Sequence, residues 1–252
     1  MMLRENAETL DGTVQPTPVG DMETEISRES PCSAFAKGEV DAVQRAGGSR
    51  TYRILKRAFD VVFSACVIVV GFIPGLILGV FISKDTGGSP IYSQERVGKG
   101  GRAFRIYKFR TMVADSDDVE KYLSAEQLEQ WHRERKVDDD PRITQLGRKL
   151  RHTSIDEVPN FINVLKGDMS VVGPRAVSHE EIAWFGDDAG TVLSVPQGIT
   201  GVWQCGPRNG ATFENGERQR LELDYAHRAS LRVDLAILLR TFAVMFVDRS
   251  GK

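Results

Sequence analysis

The chain has 252 residues, 41% hydrophobic and 27% charged, with a formal net charge of −2. These values fit one sizeable folded domain with appendages, and no strongly basic patch argues for nucleic acid. The three cysteines, Cys32, Cys66 and Cys205, show no C-x-x-C metal or redox spacing, so a reducing, cytoplasm-facing location is the default reading.

Residues 1–50 carry nine acids and five bases, which leaves 28 bases and 26 acids of the 33 and 35 for the rest. This stretch is rich in Glu, Ser, Thr, Pro and Gly without apolar periodicity, and reads as a disordered N-terminal tail. It has no basic start followed by an apolar core, so a secretory signal peptide is not expected.

The basic residues Arg53, Lys56 and Arg57 precede 23 positions, Val61 to Ser83, without a charge. A helix of that length covers about 35 Å, enough to cross a bilayer core; a buried core helix is the competing reading. Pro74 interrupts the run between Gly71 and Gly75. It cannot donate to the carbonyl of Val70, and a kink is expected there. The segment 51–88 therefore either spans with a bend or enters and returns, with its basic end on the cytoplasmic side.

Residues 89–112 read as a β-hairpin turning at Gly98–Gly101. Strand alternation places Phe104, Ile106, Lys108 and Arg110 on one face if the strand runs that far; the plainer reading of Lys108 and Arg110 is two solvated charges on a strand edge. The turn lacks the spacing of a nucleotide P-loop. Residues 113–140 are polar and read as helical. Asp138, Asp139 and Asp140 before Pro141 read first as a loop and only second as a divalent-ion site.

The stretch Arg151 to Arg175 concentrates the chemistry. Asp156 and Glu157 are adjacent carboxylates bracketed by two arginines, a pattern suited to a carboxylate acting on a phosphate. A plainer reading competes: Ser154 and Glu157 fit S-x-x-E, a helix capping box. A helix start would itself present amides to an anion. Pro159 fits the first helical position only if the helix begins later than Ser154. Gly173-Pro174 holds Arg175 on a stiff loop. Further on, Gly206-Pro207-Arg208-Asn209-Gly210 is a rigid polar loop able to meet a sugar or nucleotide, or a plain connector. Residues 212–229 read as an amphipathic helix, and 231–247 as a core or membrane-interface helix. His132, His152, His179 and His227 show no metal-binding spacing.

Taken together, several motifs occur in order: K-R-A-F-D before the apolar run, Q-E-R-V-G, F-R-I-Y-K-F-R-T-M, D-D-P-R-I-T, S-I-D-E-V-P-N-F-I-N-V-L-K-G-D-M-S-V-V-G-P-R and I-T-G-V-W-Q. Over about residues 56–247 the chain resembles the bacterial sugar transferases, the monotopic phosphoglycosyl transferases that initiate exopolysaccharide assembly. The resemblance implies a mixed, helix-rich, non-repetitive α/β fold, with a small β-hairpin or sheet and interfacial amphipathic helices. A helix–break–helix over 51–88, broken at Pro74, would enter and leave the same face of the bacterial inner membrane, and 89–252 would form the catalytic domain facing the cytoplasm.

The resemblance also implies a reaction: hexose-1-phosphate, from UDP-galactose or UDP-glucose, passes to polyprenyl (undecaprenyl) phosphate with release of UMP. Asp156 would be the nucleophile and metal contact, Glu157 would position the site, and Mg²⁺ would be the cofactor. Lys108, Arg110, Arg151, Arg175, Arg208 and Asn209 would bind substrate or phosphate. A homodimer is left open. Four positions depart from the family pattern: Ile73 replaces the serine of the Ser-Pro break, Ala176 replaces a proline after Arg175, and Gly206-Pro207 replaces Ser-Gly in the W-Q-x-S-G-R-N loop. The two loop departures, at Ala176 and at Gly206-Pro207, motivate an alternative reading as an inactive membrane-anchored partner of a polysaccharide assembly complex.

Overall fold

The computed structural model describes residues 49–206 and 210–246. The expected tail thus lies, but for its last two residues, outside the described residues, as do Arg208 and Asn209. The elements in order are α1 (Arg50–Thr86), β1 (Ile91–Val97), β2 (Ala103–Phe109), α2 (Val119–Tyr122), α3 (Ala125–Glu134), α4 (Gln145–Thr153), a 3-10 turn (Ile155–Asn160), α5 (Phe161–Lys166), β3 (Ser170–Val172), α6 (His179–Ala183), α7 (Ala189–Val192), β4 (Gly198–Thr200), α8 (Glu217–Arg228) and α9 (Leu231–Phe246). This is the helix-rich mixed fold expected, with two small sheets.

α1 begins where Ser49 Oγ accepts from the Tyr52 amide at 3.1 Å. It ends at Gly87, which supplies the left-handed φ of 70°. At about 1.5 Å per residue its 37 residues run roughly 55 Å. The expected division into two helices is replaced by one helix that continues through Pro74. A proline removes one hydrogen bond, while its φ remains helical, and the packing of both halves of the helix on the domain holds it through the proline.

The faces of α1 are inverted relative to a surface helix of a soluble protein. Tyr52, Lys56, Asp60 and Ser64, spaced four apart, face inward and are buried. Val62, Val69, Val70, Phe72, Ile73 and Leu76 face outward and are 60–77% exposed. Such a contiguous apolar surface marks contact with another apolar phase. By length and composition α1 is the one helix among the described residues able to cross a membrane.

Polar contacts fasten the first half of α1 to the domain. Lys56 Nζ donates to Asp234 Oδ2 on α9 (2.7 Å) and to the Val172 carbonyl of β3 (2.8 Å). Asp60 accepts from the Val171 amide at 2.9 Å. The second half packs on the same domain: Ile82 joins Phe109 and Leu150 in one apolar cluster, and the Thr86 carbonyl accepts from the Ala114 amide. Both ends of the apolar segment therefore rest on one body.

The hairpin forms as expected, with antiparallel register Tyr92↔Lys108 and Gln94↔Ile106. Gly100 and Gly101 take positive φ in the turn. β3 and β4 pair in parallel, Ser170↔Gly198 and Val172↔Thr200. A Cβ on Gly198 would lie 2.1 Å from the Gly173 nitrogen, so only glycine permits this approach, and it sets Arg175 at the end of β3. The helix expected across 113–140 is limited to α2 and α3. Of the three acids at 138–140, Asp140 is committed to Arg142, which bonds both its oxygens at 2.9 and 2.7 Å. α9 presents Leu231, Leu235, Leu239, Phe242 and Met245 outward as an apolar stripe.

Candidate active site

The two carboxylates sit in the 3-10 turn, and its start differs from a capping box. Ser154 takes left-handed φ of 57° as the C-cap of α4, and its side chain caps nothing. The chain reverses at Ser154, and α5 begins only at Phe161, after Pro159. The local S-x-x-E signal loses because the preceding helix claims Ser154 as its end.

Two asparagines stitch the turn to β2. Asn160 Oδ1 accepts from the Tyr107 amide (3.1 Å), and Asn163 Nδ2 donates to the Arg105 carbonyl (2.7 Å). Both are buried. Asn160 also donates to Glu157 Oε2 at 2.5 Å. Lys108, pointing inward from β2, donates to Glu157 Oε1. Each Glu157 oxygen is thus occupied. Burial pushes the Glu157 carboxyl up, but Lys108 and Arg175 outweigh it and hold the group below the usual glutamate range.

Asp156 is the opposite case. It is buried, and among the described residues no side chain donates a hydrogen bond to it. Burial, followed by repulsion from Glu157, pushes its carboxyl up to about 6, against the pull of Lys108 and Arg151. The two neighbours are driven apart in acidity: Glu157 is a fixed anion in a salt bridge, while Asp156 is a desolvated carboxylate that no side chain among the described residues bonds.

The surrounding cations come from three elements. A Cβ on Gly147 would sit 2.0 Å from the Thr111 carbonyl oxygen, so glycine lets α4 press against the exit of β2. One turn further along α4, the Arg151 Nε–H donates to Thr111 Oγ1 at 2.9 Å, and Arg151 lies close enough to Asp156 to feel its charge. Arg175 sits over the Trp203 ring at 5.4 Å, and its amide donates to the buried Glu222 at 3.2 Å. A small polar cleft is lined by Arg96, Lys108, Glu157, Asn160 and Arg175.

Lys108, Arg151 and Arg175 therefore surround Asp156 and Glu157. Arg110 does not. It lies just past the end of β2, where its Nε donates to the Ser89 carbonyl at 2.8 Å and its guanidinium lies over Tyr92. Strand alternation fails for it because the strand stops at Phe109. Arg96, Asn160 and Glu222 were not singled out by the sequence. Arg96 stands in the Q-E-R-V stretch, where its spacing two residues from Gln94 on one strand face was the available signal; it bonds Glu181 at 2.9 Å. Glu222 lies 47 positions from its partner and carries no local signal; burial pushes it up to about 7.

For a divalent metal, no group of three or more His, Cys, Asp or Glu occurs among the described residues. One or two carboxylates suffice for Mg²⁺ when phosphates complete its shell. With Glu157 occupied, Asp156 is the carboxylate that fits.

A family model described as bacterial sugar transferase matches residues 51–248. The chain is 38% identical over 206 residues to an undecaprenyl-phosphate galactose phosphotransferase of Salmonella typhimurium, covering 81% of this chain and 43% of that protein. It is 34% identical over 229 residues to the exopolysaccharide production protein ExoY of Rhizobium meliloti, covering 89% and 98%. It is 34% identical over 200 residues to a UDP-N-acetylgalactosamine-undecaprenyl-phosphate N-acetylgalactosaminephosphotransferase of Aeromonas hydrophila, covering 77% and 44%. The chain spans about two fifths of the length of the first of these relatives and nearly all of ExoY. The match over most of its length, on the segment that carries Asp156, Glu157 and the surrounding cations, makes the chain a member of the bacterial sugar transferase family.

Proposed function

We propose that the protein transfers hexose-1-phosphate from a UDP-sugar to polyprenyl phosphate through an aspartyl-phosphosugar intermediate. The observation that carries this reading is the desolvated Asp156 carboxylate, to which no side chain among the described residues donates, in the turn surrounded by Lys108, Arg151 and Arg175. Phosphoryl transfer asks for positioning and charge neutralisation more than for acid–base work, and this site offers those.

In the first step an Asp156 oxygen attacks the phosphorus that bears the sugar. The bond from that phosphorus to the bridging oxygen breaks, and UMP leaves with the electron pair. In the second step a phosphate oxygen of the polyprenyl phosphate attacks the same phosphorus. The phosphorus–Asp156 bond breaks, the carboxylate returns, and the product is a polyprenyl-diphospho-sugar. Arg175, Arg151 and Lys108 hold phosphate oxygens, and Glu157 fixes Lys108. Mg²⁺, when bound, supplies further neutralisation of the diphosphate, with Asp156 as its protein contact. Galactose is the favoured hexose because the Salmonella relative is named for it; the relative named for N-acetylgalactosamine calls for a panel of donors in the test.

The packing of both ends of α1 on one domain supports a monotopic arrangement, in which the helix is held against one face of the inner membrane without crossing it and the domain faces the cytoplasm. The apolar outward faces of α1 and α9 support the same placement. Cysteines introduced at Arg53 and Lys84 are expected to label from the same side in sealed vesicles; labelling from opposite sides contradicts this.

The testing experiment uses detergent-solubilised protein with Mg²⁺, undecaprenyl phosphate and a panel of UDP-sugars. UMP release with a hexose donor, dependent on the lipid for repeated turnover, is expected. Absence of release with every donor from folded protein overturns the reading.

A further inference from the structure

Beside the turn that carries the dyad lies an apolar groove of about 660 Å³, within the range of sites that hold small molecules. α1 forms one wall, where Gly71, Gly75 and Gly79, four residues apart, offer no side chain to the domain. The other wall is Phe109 and Pro90 from the hairpin and Val158 and Ile162 from the turn and α5. The walls approach closely at the glycines: a Cβ on Gly75 would sit 3.4 Å from the Phe109 ring, and one on Gly71 3.6 Å from Val158. Larger residues at these positions would fill the space.

From this groove we infer the binding site of the acceptor's isoprenoid chain, an inference that rests on the transfer reaction proposed above. Three observations choose this occupant. First, the lining is hydrocarbon apart from Ser83 and Lys84, so a polar ligand would lose its hydrogen bonds to water without replacement. Second, the groove adjoins the site along the chain: Val158 and Pro159 in its wall come directly after Asp156 and Glu157, and Phe109 directly after Lys108. A phosphate placed at Asp156 leaves its attached chain beside Val158. Third, the groove opens along the exposed apolar face of α1, where Phe72, Leu76 and Val80 line it and are 57–61% exposed. A chain too long for the groove continues into lipid without crossing water. A phospholipid acyl chain shares the hydrocarbon chemistry but has no reason to bring its own end to Asp156.

The test uses the full chain in lipid nanodiscs and compares undecaprenyl phosphate with the short geranyl phosphate as acceptors. Ile162→Trp and Leu76→Trp each place an indole in the groove from a partly exposed position. The expected result is a KM for undecaprenyl phosphate raised at least about tenfold, the cost of displacing two or so buried methylenes, with the KM for the UDP-sugar unmoved and the preference over geranyl phosphate narrowed. Unchanged acceptor KM in both folded variants overturns the groove assignment while leaving the transfer reaction intact. Failure of the unaltered protein to transfer to any polyprenyl phosphate removes the reaction and the groove together.

A second measurement needs no variant. A diazirine-bearing prenyl phosphate is expected to label residues 71–80 or 158–162, with excess undecaprenyl phosphate competing. Labelling elsewhere, or competition by phosphatidylglycerol alone, overturns the inference.

Discussion

Asp234 and Asp156 are both buried carboxylates, yet among the described residues three side chains bond Asp234 and none bonds Asp156. Tyr52 (3.0 Å), Lys56 (2.7 Å) and Tyr225 (2.7 Å) all donate to Asp234. That cluster joins α1, α8 and α9, and its acceptor atoms are used up within the protein. The cluster around Asp156 brings Lys108, Arg151 and Arg175 toward two carboxylates of which only Glu157 is consumed. Two buried polar networks in one chain thus differ in what they leave over. The saturated one fastens the helix to the core; the unsaturated one keeps cations and a carboxylate available for a ligand.

The comparison breaks most sharply at Asp156 itself. Asp156→Ala is expected to lower the transfer rate by at least about 10⁴-fold, roughly 5.5 kcal/mol of barrier, in a steady-state UMP-release assay. Asp234→Ala is expected to act on stability instead. It leaves the Lys56 ammonium buried without its carboxylate, which costs about 3–5 kcal/mol, read as a lowered midpoint in denaturant. If Asp156→Ala unfolds the protein while Asp234→Ala spares it, the assignment of the two clusters is reversed.

A smaller effect has the opposite sign. The Asp156 carboxyl is raised from its ordinary 3.8 to about 6, so the folded protein binds its proton more tightly than the unfolded chain does. Stability from this group is then full below about pH 3.8, falls as pH rises to about 6, and stays low above it. Asp156→Asn removes that loss and is expected to raise stability at neutral pH by about 1–3 kcal/mol, visible as a melting temperature several degrees higher. The donor step in the unaltered protein should decline as pH drops through about 6, because the proton occupies the attacking oxygen. The smallest effect is expected at Arg110→Ala. Its bonds lie at Ser89 and Tyr92, away from the dyad, and its loss should change the rate by no more than about threefold, within about 0.5 kcal/mol. A loss as large as that of Lys108→Ala would place Arg110 in the site after all.

Much of the candidate site's geometry was legible in the sequence, because its signals are short in range. Adjacent acids, a rigid Gly173-Pro174 before Arg175 and a strand alternation reaching Lys108 all concern neighbours along the chain. Ser154 misled because a capping pattern depends only on residues C-terminal to the cap, whereas α4 ends on Ser154 from its N-terminal side. Arg110 misled because alternation does not say where a strand stops. Glu222 and Asn160 were invisible, since their partners, Arg175 and Tyr107, are far off in sequence. In α1 the apolar run was plain, but its inward polar stripe, Tyr52, Lys56, Asp60 and Ser64, becomes meaningful only once Asp234 and Val171 stand opposite. Pro74 announced a break that the helix absorbs at the cost of one hydrogen bond.

The most direct test of the central claim traps the protein with the donor alone. After incubation with UDP-galactose and Mg²⁺ and no polyprenyl phosphate, intact-protein mass spectrometry should show the mass of one hexose phosphate added, mapping to Asp156 and absent from Asp156→Asn. Repeated transfer to polyprenyl phosphate with no adduct under rapid quenching, or an adduct on any other residue, would contradict the account.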